Sequence, residues 1–553
     1  MKTSYIYSEQ GMATLIALIM VAMLTLLGLA ALSTSDDEVS IAGNELQETR
    51  AFYAAEAGLE KVAAYMLSQF DSTGVPPTVM PSGSDYINNT HVTYAAVSDG
   101  PATTKDLSNG TLAGLHALVQ SFSMTAAATN AAQNTSMQLA QSFEAALVPI
   151  FQFAVFYNND LEIAPGPDMT LMGRVHSNGD MWLQAGSSLK MDSYVTASGN
   201  IRHGCMGAGT ASGGDVLIKD GGGNYVSMKE GSGWLESIDG HWYDSSVARW
   251  QGRVQDSTHG QPALNLPLSS TAAGDPHKII EGKTGNDDSY ERKATLKFID
   301  RTAYRDVAGA WVDVTADMVS KGIITFTDDK FHDGREGTWV DCMELDVTEL
   351  YDEGYGPANG VIYYSDQTSD FPALRLNNAS ELDAGLTVAC ENPVYVNGDY
   401  NSTKKKPAAI LGDAVTFLSN SWDDSKSSDP VNDRAASNTT ANVCYLTGNT
   451  ETTASDYSGG LENLPRFLEK WSGKTFTWLG SAINLWNSVQ ANSPWSYGSY
   501  YTAPIRDWAF DTDLDDPNNM PPETPMLRVF QRIGWHQQHV GYDASHGQGE
   551  VTY

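Results

Sequence analysis

"MTLMGRVHSNGDM" (Met169–Met181) is answered twenty residues on by "LKMDSYVTASGNI" (Leu189–Ile201). The two superpose with Met169 on Leu189, Leu171 on Met191, Val175 on Val195, Gly179 on Gly199 and Met181 on Ile201. Short apolar runs parted by Asn-Gly or Ser-Gly corners at a fixed period read as rungs of a β-solenoid, where each rung buries its apolar face only against its neighbours. Related phrases return in "LTVACENPVYVNGDY" (Leu386–Tyr400), "AAILGDAVTFLSNSW" (Ala408–Trp422) and "TWLGSAINLWNS" (Thr477–Ser488). The repeat predicts first rungs over 161–203 and a second solenoid part over 351–553, ending in an aromatic-rich carboxyl region. Between them, 204–350 reads as an insertion, Gly, Ser and Asp rich at first ("GAGTASGGD", "DGGGN") and alternating again in "IITFTDDKFHDGREGTWVDCMELDVTEL".

Composition agrees with a long β-rich body. The chain has 553 residues and 50 glycines, too long for one ordinary compact domain. Its formal net charge is -34, with 67 acidic against 33 basic side chains, which repels nucleic acid and excludes it as a partner class. Cys205, Cys342, Cys390 and Cys444 lie far apart with no CxxC pair. They read either as free buried thiols or as two disulfides with three open connectivities.

Toward the amino terminus, "HVTYAAV" (His91–Val97), "LHALVQSFSMTAAAT" (Leu115–Thr129) and "SMQLAQSFEAALVPIFQFAVFY" (Ser136–Tyr157) partly alternate and predict an antiparallel sheet within 71–160. "DSTGVPPTVMPSGSD" precedes them and ends a helix, since Pro cannot continue one. That helix opens in "SEQGMATLIALIMVAMLTLLGLAALSTSDDE" (Ser8–Glu38), uncharged from Met12 to Leu32 and so about 30 Å of apolar helix, enough to cross a bilayer. The pattern runs on as amphipathic helix through Leu59, Val62, Met66 and Phe70. A helix over 12–70 is roughly 90 Å long, far more than anchoring requires. Lys2 precedes the apolar run and Asp36, Asp37 and Glu38 follow it, which places the body outside the cytoplasm.

Gly11, where charge stops and hydrophobicity starts, resembles the end of a type IV prepilin leader. More narrowly, "GMATLIALIMVAMLTLLGLAAL", "AGN" (Ala42–Asn44) and "AFYAAEAGLE" (Ala51–Glu60) resemble the amino-terminal region of PilX-type minor pilins. The resemblance covers about sixty residues. It implies a leader over 1–11, cleavage by a prepilin peptidase between Gly11 and Met12, and methylation of Met12. It also implies inner-membrane residence before assembly, other pilins or pseudopilins as partners through the helix, and an extracellular filament or cell-surface position afterwards. Major pilins carry a glutamate where Ile16 stands here, so the resemblance implies a minor subunit rather than the bulk one. "QFAVFYNNDLEI", "GRVHSNGDM" and "ENPVYVNGDY" also look like phrases in large bacterial proteins with such amino termini and poorly characterised bodies.

Enzyme signals are weak. "GKT" at Gly282–Thr284 and Gly473–Thr475 lacks the P-loop's earlier glycine, having His277 and Leu468 there. "HQQH" (His536–His539), with His546 nearby, has no zincin glutamate and reads as exposed histidines on a terminal helix or loop. His176 reads as a hydrogen-bonded corner residue, and "KKK" (Lys404–Lys406) as a solvated loop. Asp511, Asp513 and Asp515 offer alternate carboxylates for calcium, though the glycine and closing glutamate of an EF-hand are missing and an acidic turn without metal competes. Trp471, Trp478, Trp486, Trp495, Tyr497, Tyr500, Tyr501 and Trp508 read as core filling, with a binding platform as the rival. The expectation is a mainly β protein with one long amino-terminal α-helix: a pilin-like helix and antiparallel sheet, then a parallel β-helix-like body. It is non-enzymatic, a filament subunit displaying that body at a tip. The alternatives are a type II secretion tip pseudopilin and a membrane-anchored glycan-binding or glycan-cleaving protein.

Overall fold

The computed structural model describes residues 9–130, 135–207, 211–268, 274–453 and 456–539. Helix α1 (Glu9–Thr73) runs 65 residues without a proline and stops at Gly74, whose φ of +70° and contact with the Pro267 carbonyl suit a residue without a side chain. Its second half buries Ala51, Ala55, Leu59, Val62, Met66 and Phe70, spaced three or four apart, on a sheet. Gly58 brings the helix close: a Cβ there would lie 2.7 Å from Val92 Cγ1.

The sheet contains β1 (Ser82–Ile87), β2 (Thr90–Ser98), β3 (Thr103–Asp106), β4 (His116–Asn130) and β5 (Thr135–Pro149), all antiparallel. The last expected strand of this region, Ser136–Tyr157, is cut at Pro149. Ile150–Gln152 forms one 3-10 turn and Phe153–Tyr157 leaves the sheet for the body. The place beside β5 is taken by the terminal strand Met526–His539, paired from Met526 with Pro149 to His539 with Met137. This corrects the expectation of a terminal helix or loop at "HQQH"; His536 and His539 lie on a strand, and His546 is outside the described residues. The module is thus made of two segments, and the body is inserted between them. Both crossings sit side by side, Ile150 donating its N–H to the Pro525 carbonyl at 2.9 Å.

The body is built largely from parallel strands stacked in ladders, and in the first rungs the ladder register is the twenty-residue sequence offset. Met169 pairs with Leu189, Leu171 with Met191, Val175 with Val195 and Met181 with Ile201. Gly179 and Gly199 are the close corners: a Cβ on Gly179 would lie 2.7 Å from the Asp160 nitrogen, and one on Gly199 2.8 Å from the Asp180 nitrogen. Asp160 Oδ1 accepts the Asp180 N–H at 2.8 Å, and Asp180 Oδ1 the Asn200 N–H at 2.7 Å, so the carboxylates tie successive corners together.

The stacking order is not the chain order. One ladder has twelve strands, and Phe153–Tyr157 lies inside it, with Arg174–Ser177 on one side and Ala482–Asn484 on the other. From Phe153 the chain climbs through Val195–Ala197 to Val254–Gln255 and crosses to the opposite end at Leu296–Ile299. It then returns through Val361–Ser365, Leu386–Cys390, Ala408–Gly412 and Cys444–Thr447 to meet its own start. Residues 204–350 therefore supply both ends. At one end α2 (Trp242–Trp250) inserts Trp242 and Trp250 into the core; at the other, Thr302–Val307 and Ala310–Asp313 turn antiparallel. Both devices blunt an open parallel edge. Three apolar layers result: one inside the stack, one between its twelve-stranded ladder and the sheet, and one between the sheet and α1.

Candidate functional site

The feature that stands apart from this packing is the first half of α1. Met12, Ile16 and Leu18 are 67, 52 and 71 % exposed, and the whole apolar window from Gly11 is unburied, a segment long and apolar enough to cross a membrane. So large an apolar surface marks an interaction or membrane site. Gly11 and Met12 lie within the helix, and the Gly11 carbonyl accepts from Thr14 Oγ1 at 3.0 Å. Ile16 is one turn further along the exposed surface. Asp36, Asp37 and Glu38 follow as an exposed acidic collar.

The helix is fixed where it meets the sheet. Arg532 of the terminal strand meets Glu60 at 2.7 Å, Arg528 meets Asp71 at 2.9 Å, and Lys61 meets Asp85 at 2.8 Å. Lys61, Asp85, Arg532 and Glu60 are about half exposed, where screening and side-chain entropy leave little net gain, so the apolar layer does the holding. Trp535 stands edge-on to Phe52 with centroids 6.2 Å apart, and Phe530 stacks on Phe143 at 5.2 Å. The signal for this strand was present in the chain as the alternation Leu527, Val529, with Phe530 facing the other side. Its partner, however, is distant in sequence, and no local pattern names it.

The remaining expected sites resolve into structure. Lys405 Nζ lies 2.6 Å from Asp511 Oδ2 and 2.8 Å from Asp513 Oδ2, and burial raises the carboxyl of Asp515, which feels Arg174 instead. Among the described residues no three His, Cys, Asp or Glu side chains gather as metal ligands. His176 is fully buried, with Nδ1 2.8 Å from Thr196 Oγ1 and Nε2 2.9 Å from Asn178 Oδ1; burial pulls its pKa down to about 4, so it is neutral. Of "KKK", Lys404 is largely exposed and pairs with Glu381, while Lys405 is the residue held by Asp511 and Asp513. Of the aromatics, Trp471, Trp478, Trp486, Tyr500 and Tyr501 are buried and Tyr497 is exposed. Cys342, Cys390 and Cys444 are buried thiols, and none of the four cysteines is in a disulfide.

Residues 10–60 match the family model described as PilX N-terminal, which covers the exposed half of α1 and its entry into the body. The chain thus has a PilX-type amino-terminal region. No curated protein matches the sequence. Among solved structures, the competence-associated pilin ComZ from Thermus thermophilus aligns at 12% identity over 89% of this chain and 98% of its own, with a TM-score of 0.27. That score is too low to carry an argument about fold or function.

Proposed function

We propose that this chain is a minor pilin-like subunit, held in a filament by the exposed half of α1 and presenting the body outside the cell. The observation that carries this reading is the coincidence of the matched segment with the unpacked apolar helix: residues 10–60 contain the surface that the rest of the chain leaves uncovered. The body is read as a β-solenoid, supported by parallel pairing at a twenty-residue offset and by capped ends. Cleavage between Gly11 and Met12 by a prepilin peptidase, with membrane residence before it, is part of the same proposal.

A position at the filament tip is supported by Ile16. An acidic residue there needs a cationic partner ahead of it in hydrocarbon, where an unpaired charge is very costly; an apolar residue needs none. A subunit that starts a filament has no neighbour ahead. The size of the body argues the same way, since a tightly packed shaft would be crowded by it. Gold labelling of a tagged body on isolated filaments tests this: label at ends supports the tip, and label spaced along the shaft rejects it. Calcium at Asp511, Asp513 and Asp515 remains a proposal in which the ion must displace Lys405 from two of the three carboxylates.

A further inference from the structure

The joint where the returning chain meets its own beginning holds two buried carboxylates. Glu162, on the strand Leu161–Ile163, is 1 % exposed, and Glu462, in the 3-10 turn Leu461–Asn463, is 4 % exposed. Glu462 reaches across the joint, its Oε1 accepting the Ala164 N–H at 2.8 Å. Glu162 accepts the Met206 N–H at 2.6 Å and the hydroxyl of Tyr457. Between them runs Gly460, where a Cβ would lie 3.0 Å from the Glu162 carbonyl oxygen and 3.1 Å from Glu462 Oε2. Among the described residues neither carboxylate has an ion-pair partner. The groups facing Glu462 are Glu162, Tyr157, Tyr457 and Arg506, and Arg506 Nη2 donates to the Glu462 backbone carbonyl at 3.1 Å.

We propose that Glu462 is a proton-operated latch on this joint: protonated, it closes the returning chain onto the strand Leu161–Ile163; ionised, it loosens that contact. The physical basis is desolvation: both carboxylates are almost fully buried without an ion pair, and for Glu462 this outweighs Arg506 and the Ala164 N–H, which favour its ionised form. Burial, with Glu162 adding to it, pushes the Glu462 carboxyl up to about 7, across the neutral range. A raised acid binds its proton more tightly in the closed joint than in the open one, so closure is favoured as pH falls and lost as pH rises through about 7.

Hydrogen exchange of the full chain in detergent, corrected for the pH dependence of intrinsic exchange, tests this at residues 158–164 and 459–464. With an ordinary carboxyl value in the open state, protection there is expected to fall about thirtyfold between pH 5.5 and pH 8, while the strands Leu386–Cys390 and Ala408–Gly412 stay unchanged. Glu462→Gln keeps the acceptor for Ala164 and is expected to remove most of the pH dependence, the remainder belonging to Glu162, whose carboxyl is also raised by burial. Glu162→Gln removes the repulsion and is expected to move the midpoint to lower pH. Equal pH dependence in wild type and Glu462→Gln, or an unmoved midpoint in Glu162→Gln, would overturn the latch. Neither outcome bears on filament assembly, which rests on α1.

Discussion

Ending the chain at Pro525 removes the terminal strand and the residues after it, and the consequence can be worked from what that strand covers. Leu527 is fully buried, Val529 is 8 % exposed and Phe530 packs partly against the helix–sheet core. Fully burying an aliphatic side chain is worth about 1.5–3 kcal/mol, so Leu527 and Val529 supply roughly 3–6 kcal/mol and the partly buried Phe530 adds a smaller share. Residues 137–149 of β5 would also lose their ladder partners and become an edge. Against a total stability of about 5–15 kcal/mol for a domain, the loss is enough to undo the helix–sheet module. The strand pairings of the stack from Phe153 to Phe510 do not involve the terminal strand, although Leu527 and Val529 help cover its face, and the stack is expected to survive. Limited proteolysis followed by mass spectrometry is the assay: cleavage should appear within 90–149 and in the second half of α1, with a resistant fragment spanning the body. A truncated chain whose β4 and β5 stay as protected as in the full chain would refute the split-module reasoning.

Other substitutions test the remaining layers. Gly179→Ala pushes a Cβ onto the Asp160 backbone and should cost about 1–3 kcal/mol, read as a lower melting temperature, whereas alanine at Gly240, with open space and no positive φ, should do less. His176 is neutral when folded because burial lowers its pKa to about 4. The unfolded chain therefore takes the proton first, and stability should fall by up to ~3 kcal/mol as pH drops from about 6.5 to about 4. His176→Asn should flatten that part of an acid-unfolding profile. Lys405→Met leaves Asp511 and Asp513 without their cation, so calcium should raise the melting temperature of this variant more than that of the wild type. Equal calcium responses would remove the calcium proposal.

Much of the architecture was legible in the chain because its signals are local. In the first rungs the twenty-residue offset gave the strand register pair by pair, since each glycine corner stacks on the next. The apolar and then amphipathic run fixed α1, and Pro149 marks the exit from the sheet even though the alternation continues past it. What was illegible depends on long-range closure. Nothing near Phe153 says that Ala482–Asn484 will lie beside it, and nothing near Met526 names β5. The Gly-rich stretch after Gly204 looked like a loop because an end cap has neighbours on one side only and lacks a repeat, yet Trp242 and Trp250 were the anchors. Among candidate sites, the alternate carboxylates of Asp511 and Asp513 were visible, while Lys405, more than a hundred residues away, was not. The buried pair Glu162 and Glu462 has no sequence signature, because each sits in an ordinary polar position and only the joint makes them neighbours.

The account turns on α1 being the mature, filament-inserted end of the chain. The most direct test is mass spectrometry of the amino terminus of this protein recovered from sheared filaments and from the envelope. The account predicts a chain starting at methylated Met12, with residues 1–11 absent. A chain that keeps Met1, or one cut within or beyond the apolar run so that Met12–Leu32 is lost, would contradict it.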